Sequence, residues 1–122
     1  MKAYGKKTWL IADAYYDSQS NHQPSHESVC VLNTSDEDAV IDMTLYFEDR
    51  PPMAGFIAPC GAGRTHHIRM DKIKSANGEA VPMDTPYAIL VTSSIPVVVQ
   101  YTRLDTAQAE MALMTTMAYP VE

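Results

Sequence analysis

Residues 95–105 read Ile-Pro-Val-Val-Val-Gln-Tyr-Thr-Arg-Leu-Asp, an apolar β-branched run followed by a polar end. Valine branches at Cβ and packs well on a pleated surface, so the run predicts a strand. The polar side chains from Gln100 to Asp105 would then stand on a rigid support, which is a common way to build a binding site. The polar end of an ordinary strand has the same composition, and these residues alone leave both interpretations open.

Strand signals recur along the rest of the chain. The clearest lies at 39–48, where Ile41, Met43, Leu45 and Phe47 alternate with more polar neighbours and predict one buried and one wet face. By the same reasoning, further strands are predicted at residues 8–15, 28–33, 55–59, 64–70, 87–93 and 97–103.

The intervening segments carry turn signals. Residues 17–25 are polar, and 71–83 is a long excursion in which Asn77-Gly78 indicates a turn. Ser94-Ile-Pro96 is expected to separate the last two predicted strands. Residues 106–117 favour helix by propensity but lack a 3.6-residue apolar stripe, so we predict a short turn at 106–110 followed by an extended strand.

About seven to eight short strands without interspersed helices indicate an all-β antiparallel sandwich or barrel. The chain has 122 residues, which fits a single domain spanning residues 1–122 with one hydrophobic core. No apolar run approaches the ~20 residues that a membrane span requires, so we expect no membrane insertion.

Charge and cysteine content narrow the class of protein further. The net charge of −6, from 15 acidic and 9 basic residues, disfavours binding to nucleic acid or anionic membranes. No apolar secretory region precedes Trp9, and two cysteines are too few for a disulfide framework. We therefore expect reduced thiols, with Cys30 as a small core residue, and a cytoplasmic protein.

Several segments together resemble the Anabaena sensory rhodopsin transducer family, from about residue 5 to residue 120. The similar segments are 9–12 (WLIA), 26–33 (HESVCVLN), 46–50 (YFEDR), 64–69 (RTHHIR), 96–105 (PVVVQYTRLD) and 108–110 (QAE) with Tyr119. The resemblance implies a small cytoplasmic β-sandwich that forms a homotetramer. Its founding member is a soluble transducer for a microbial rhodopsin and has been linked to DNA, and the wider family is thought to bind small, sugar-like molecules. Residues 17–25 and 55–63 depart from the founding member, so a rhodopsin partner does not transfer automatically.

Two pairs of polar residues are the first candidates for a ligand site. His26 and Glu27 place an imidazole beside a carboxylate at the start of a strand, which suits a polar ligand or acid–base chemistry. His67 and Arg69 share one face of a strand and suit an anionic or polyhydroxyl ligand, since arginine offers a fork of donors. Alternatively, His26 and Glu27 could be a strand-entry pair that hydrogen-bonds to loop backbone groups. His67 and Arg69 could instead lie on a solvated sheet face or at a subunit contact.

Gln100, Arg103 and Trp9 complete the set of predicted ligand-binding residues. Strand parity places Gln100 and Arg103 on opposite faces unless a bulge or a subunit interface brings them together. Arg103 and Asp105 could instead form a structural ion pair. Trp9, the single tryptophan, is a core or interface anchor or a border of the site.

Catalytic and metal-binding patterns are weak. The sequence has no G-x-S-x-G motif, and its histidines and cysteines lack zinc-ligand spacing, so we expect no enzyme, metal or cofactor. A sugar hydrolase using Glu27 would need a second carboxyl group within roughly 5–10 Å. The leading hypothesis is a non-enzymatic small-molecule-binding or signal-transducing domain. The alternative is an adaptor that relays receptor state to a protein or to DNA.

Overall fold

A computed structural model describes residues 1–18, 24–106 and 112–122. All regular structure in these ranges is β-strand, which confirms the predicted all-β fold. The strands are β1 (Lys6–Tyr15), β2 (His26–Asn33), β3 (Ala39–Phe47), β4 (Met53–Cys60), β5 (Arg64–Arg69), β6 (Pro86–Asp105), β7 (Ala112–Met117) and β8 (Tyr119–Val121).

Strand β6 belongs to both layers of the sandwich. Its first part pairs with β3 and β1, in a sheet of order β4-β3-β6-β1-β8. From Val98 onward it pairs instead with β2 and β7, and β5 completes the second sheet beyond β2. Every pairing is antiparallel.

The predicted separation of residues 87–93 from 97–103 is wrong, because β6 is one strand of 20 residues. Pro96 lies where β6 leaves one set of neighbours and joins the other, between Ser93 paired with β3 and Val98 paired with β2. A missing backbone N–H therefore removes no regular ladder bond at this point, and the chain stays extended through the proline.

The core lies between the two parts of β6 and the strands around them. Ile41, Met43 and Leu45 are fully buried, as their alternation in the sequence predicts. Trp9 is 5% exposed, and its indole N–H lies 3.1 Å from the carbonyl oxygen of Val97 and 3.0 Å from that of Lys6. Trp9 thus anchors β1 to the point where β6 changes sheets.

Three further predictions concern the long excursion before β6, the segment after residue 110 and the burial of Cys30. The long excursion before β6 is present, with Gly78 at a positive φ of 82° in its turn. The extended segment after residue 110 is present as β7 and β8, whereas the predicted turn lies largely in the undescribed range 107–111. Cys30 is not a core residue but half-buried on the outward face of β2, because inward positions alternate with it; Cys60 is the buried thiol.

Candidate ligand-binding site at the ends of strands β2 and β6

A carboxylate lies inside the sandwich at the start of β2. Glu27 is fully buried on the same inward face as Val29 and Val31. Its Oε2 accepts hydrogen bonds from the Tyr101 hydroxyl at 2.7 Å and the Tyr15 amide at 3.1 Å, and its Oε1 accepts one from the Tyr87 hydroxyl. Tyr87 and Tyr101 belong to the two parts of β6, so one carboxylate ties β2 to β1 and to both sheets through β6.

Burial sets the electrostatics of this cluster. Desolvation raises the pKa of Glu27, and the two tyrosine hydroxyls, the Tyr15 amide and the positive charge of Arg103 oppose that rise. Burial and the nearby Glu27 charge raise the pKa values of Tyr87 and Tyr101, which therefore remain protonated donors. The cluster is a hydrogen-bonded network in which each buried polar atom has a partner, as burial demands.

Arg103 points to the same side of the sheet as Glu27. The two residues are direct partners in the ladder between β2 and β6, and the register there runs without interruption. Gln100 is exposed on the opposite face, which confirms the predicted parity. Among the described residues, the Arg103 side chain forms no hydrogen bond or ion pair, so the alternative pairing with Asp105 is not made.

The half-buried Arg103 lines a cavity of about 410 Å³ at the ends of β1, β2 and β6. This volume falls within the range of small-ligand sites. The lining residues are Asp13, Tyr15, Asp17, Ser25, His26, Pro86, Arg103, Leu104 and Asp105. The wall therefore presents a guanidinium fork, several carboxylates and two apolar patches to the same space.

Local hydrogen bonds hold the rim of this cavity in place. The Ser25 hydroxyl lies 3.1 Å from the Thr106 hydroxyl and accepts a hydrogen bond of 3.0 Å from the Thr106 amide. These contacts hold the residue before β2 against the residue after β6. His26 Nδ1 lies 3.1 Å from the carbonyl oxygen of Pro24. The rim is thus fixed by one contact within the entry to β2 and by two hydrogen bonds between segments far apart in sequence.

Of the predicted ligand-binding residues, the structure brings together His26, Glu27 and Arg103. His67 and Gln100 lie on the outward face of the second sheet, each paired in register with Cys30. Arg69 binds Asp71 through two hydrogen bonds of 2.8 Å, Nε to Oδ1 and Nη2 to Oδ2. These three residues and the core residue Trp9 do not line the Arg103 cavity.

Sequence reasoning missed the tyrosines and Asp13. Two signals were present in the sequence. Tyr101 is predicted on the same strand face as Arg103, and strand alternation places Glu27 on the same face as the apolar residues Val29 and Val31. Tyr15 and Tyr87 had no such signal, since they meet Glu27 only through the pairing of distant strands.

Two kinds of feature are absent from residues 1–18, 24–106 and 112–122. Within them, no three histidine, cysteine, aspartate or glutamate side chains cluster as metal ligands would. The same ranges hold no helix with the length and apolarity needed to cross a membrane.

Comparisons with known proteins place these features in context. The family model for the Anabaena sensory rhodopsin transducer matches residues 4–120. The crystal structure of Thermotoga maritima 1070 is 35% identical, with a TM-score of 0.86 and 97% of each chain covered. The structure of the Anabaena sensory rhodopsin transducer is also 35% identical, with a TM-score of 0.74, covering 90% of this chain and 94% of that one. A search of curated proteins found no match.

Proposed function

This chain belongs to the Anabaena sensory rhodopsin transducer family, and we propose that it is a non-enzymatic domain that binds a small polar molecule and transmits that state to a partner. The proposal places the ligand in the cavity around Arg103. Residues from β1, β2 and β6 would contact it, with Arg103 and His26 in the wall and Glu27 behind it.

The observation that carries the proposal is the unengaged guanidinium of Arg103. A half-buried arginine has five N–H donors, and donors without protein acceptors are available to bond to water or to a ligand. Arg103 faces an open cavity instead of an ion-pair partner among the described residues. A ligand with acceptor oxygens would supply the missing bonds.

The wall suits the sugar-like ligand that the family resemblance implies. Hydroxyl groups of a polyhydroxyl molecule both accept from a guanidinium and donate to carboxylates such as Asp13. Pro86 and Leu104 offer apolar surface for the carbon skeleton. The ligand class we propose is therefore a small polyhydroxyl molecule, or one that joins hydroxyls to an acidic group.

A binding role fits Glu27 better than a catalytic one. A glycosidase carboxyl must touch the scissile bond and work with a second carboxyl group. Glu27 is fully buried, and both its oxygens already accept protein hydrogen bonds. We therefore propose that Glu27 positions Arg103 and the tyrosines and performs no chemistry.

We propose that the domain works as a cytoplasmic homotetramer. Strand β7 pairs only with β6 within the described ranges, all six of its residues are exposed, and none is charged. An exposed strand edge without charge or proline is a template for pairing with another chain. Both cysteines are free thiols, which suits a reducing compartment.

A thermal-shift screen of a metabolite library tests the binding proposal. A ligand at 100 times its Kd adds about 2.7 kcal/mol to the free energy of unfolding, which raises Tm by roughly 10 °C in a domain of this size. We expect hits among sugars and sugar acids. Failure of every polyhydroxyl compound at millimolar concentration would contradict the proposed ligand class.

A second candidate function is an adaptor that relays the state of a receptor; the exposed apolar face of β7 would then contact the receptor instead of further copies of this chain. The similar Anabaena structure is by name a sensory rhodopsin transducer. Co-purification of this protein with a microbial rhodopsin encoded in the same genome would support the adaptor. Its independence from the Arg103 cavity can be checked with the Arg103→Ala variant.

A further inference from the structure

Positive charge is concentrated in one segment of this acidic chain. Residues 64–74 contain four of the nine lysines and arginines but only one of the fifteen acidic residues, so this segment carries +3 and the remainder −9. Arg69 is neutralised by Asp71. Arg64, Lys72 and Lys74 form no ion pair in the ranges that the structure describes.

The segment begins with an edge strand. Strand β5 pairs with β2 and with no other described strand. On its second side the Arg69 carbonyl accepts the Lys72 and Ile73 amides, whereas the backbone groups of Thr65 and His67 have no backbone partner among the described residues. Strand β4, the edge of the other sheet, lies alongside without pairing to it. The His66 imidazole spans the two edges and meets the Pro59 carbonyl oxygen.

A groove of about 290 Å³ runs along this side of the sandwich. Its floor is apolar: Ile57 is 54% exposed, and Ala58, Pro59 and Ile73 lie beside it. His67, Arg69 and Lys72 form the polar part of the wall. The groove shares no residue with the Arg103 cavity.

The four edges formed by the described strands differ in how they are protected. Strand β4 contains Pro59, and β8 is three residues long and contains Pro120, both of which discourage further pairing. Strand β7 is uncharged, which suits contact with an identical copy. Strand β5 begins with Arg64 and is followed by Lys72 and Lys74, and these three cations, which form no ion pair among the described residues, would repel a second β5 edge.

We propose that the β5 edge is a docking site for an extended acidic segment of a partner protein, which would add a strand to the second sheet. Backbone hydrogen bonds to β5 would supply much of the affinity, as in other strand-addition complexes. Carboxylates on one side of the added strand would meet Arg64 and Lys72, while alternate side chains contact Ile57 and Ile73. The charge contrast selects an acidic partner over a basic one.

The test uses two short synthetic peptides, one of alternating valine and glutamate and one in which lysine replaces glutamate. Fluorescence anisotropy should show binding of the glutamate peptide only, weakening as NaCl rises from about 50 to about 500 mM. Lys72→Glu should weaken binding roughly five- to tenfold. Lys7→Glu, an exposed and charge-matched control on β1, should change it less than twofold.

Hydrogen exchange locates the peptide. The amides of Thr65, His67 and Arg69, which point away from β2, should exchange more slowly when the glutamate peptide is bound, because an added strand would bond to them. Three results would each overturn the proposal. Lys72→Glu and Lys7→Glu could weaken peptide binding equally, the bound peptide could slow exchange only outside β5, or the glutamate peptide could fail to bind at low salt. If Lys72→Glu changes the mass of the free protein by light scattering, the occupant is a second copy and the proposal is wrong.

Discussion

Glu27 occupies an inward position on β2 where the neighbouring inward residues are valines. A buried carboxylate is costly unless its oxygens are bonded, and here Tyr15, Tyr87 and Tyr101 provide the donors. Arg103, its partner in the ladder, faces the adjacent cavity. A change at either residue is therefore expected to affect the other.

The first prediction concerns Glu27→Gln and pH. Because burial raises the Glu27 pKa above its ordinary 4.5, the folded protein keeps a proton that the unfolded chain has already lost. The contribution of Glu27 to the free energy of unfolding is therefore largest at low pH, and it falls as the pH rises from 4.5 through the pKa of Glu27 in the folded protein. Glutamine does not titrate, so the wild-type value minus the Glu27→Gln value should decline in urea unfolding as the pH rises above about 4.5. A constant or rising difference would contradict the raised pKa.

The second prediction concerns the tyrosine donors. Tyr87→Phe and Tyr101→Phe each remove a hydroxyl that donates to Glu27, so each should lower the free energy of unfolding at neutral pH by about 1.5–3 kcal/mol. Tyr46, which is 43% exposed and lies outside the Glu27 cluster, is the control position, because Tyr46→Phe also removes one hydroxyl. Tyr46→Phe should stay within about 0.5 kcal/mol of wild type in the same denaturant series. Three equal effects would show that the hydroxyl bonds contribute nothing.

At the scale of elements, the crossover in β6 depends on its neighbours. Gly5, just before β1, has a φ of 107°, and a Cβ added there would lie 2.0 Å from the Val97 carbonyl oxygen. No L-residue tolerates such a contact without backbone movement. The close approach fixes the start of β1 against β6 at the point where β6 changes sheets.

The third prediction compares two glycines with positive φ. Gly78→Ala, with φ of 82° and open space around it, should cost only the backbone strain of about 1–3 kcal/mol. Gly5→Ala adds the collision with Val97, so its loss of unfolding free energy should be larger by at least ~1 kcal/mol. Thermal unfolding of both variants checks the order. Equal losses would mean that the β1–β6 approach yields easily.

Most strands could be predicted from the sequence because alternation such as that of 39–48 reports burial directly. The continuity of β6 could not, since Pro96 is a local breaker whose cost depends on which strands lie beside it. The site was predictable only in part for the same reason. Parity gave the faces of Gln100 and Arg103, but the meeting of Glu27 with Tyr15 and Tyr87 follows from pairings between distant strands.

At the scale of the whole molecule, one contiguous apolar patch lies beside the C-terminal strands. Leu10, Met114, Met117 and Tyr119 are 41–69% exposed around one groove between β1 and β7. Contiguous exposed apolar surface usually marks an interface. This face is where the proposed tetramer would bury most of its contact area.

The fourth prediction tests that assembly. Light scattering should give the wild type a mass of about 54 kDa, four times the 13.5 kDa chain. Met117→Glu places a charge on the β7 face, 54% exposed in the single chain, and should reduce the mass to that of smaller species. Val40→Glu, at a 55% exposed position on β3, is the matched control and should leave the tetramer intact. If Val40→Glu dissociates the tetramer and Met117→Glu does not, the interface lies on β3 and its assignment to β7 is wrong.

The most direct test of the Arg103 site is ligand-induced thermal stabilisation measured on arginine variants, using the strongest hit of the metabolite screen. Arg103→Ala should abolish the Tm shift and Arg103→Lys should reduce it, because lysine keeps the charge but lacks the fork of donors. Arg69→Ala should retain the shift, since Arg69 binds Asp71 away from the cavity. A shift that survives Arg103→Ala, or that is lost with Arg69→Ala instead, would contradict the assignment of the ligand to the Arg103 cavity.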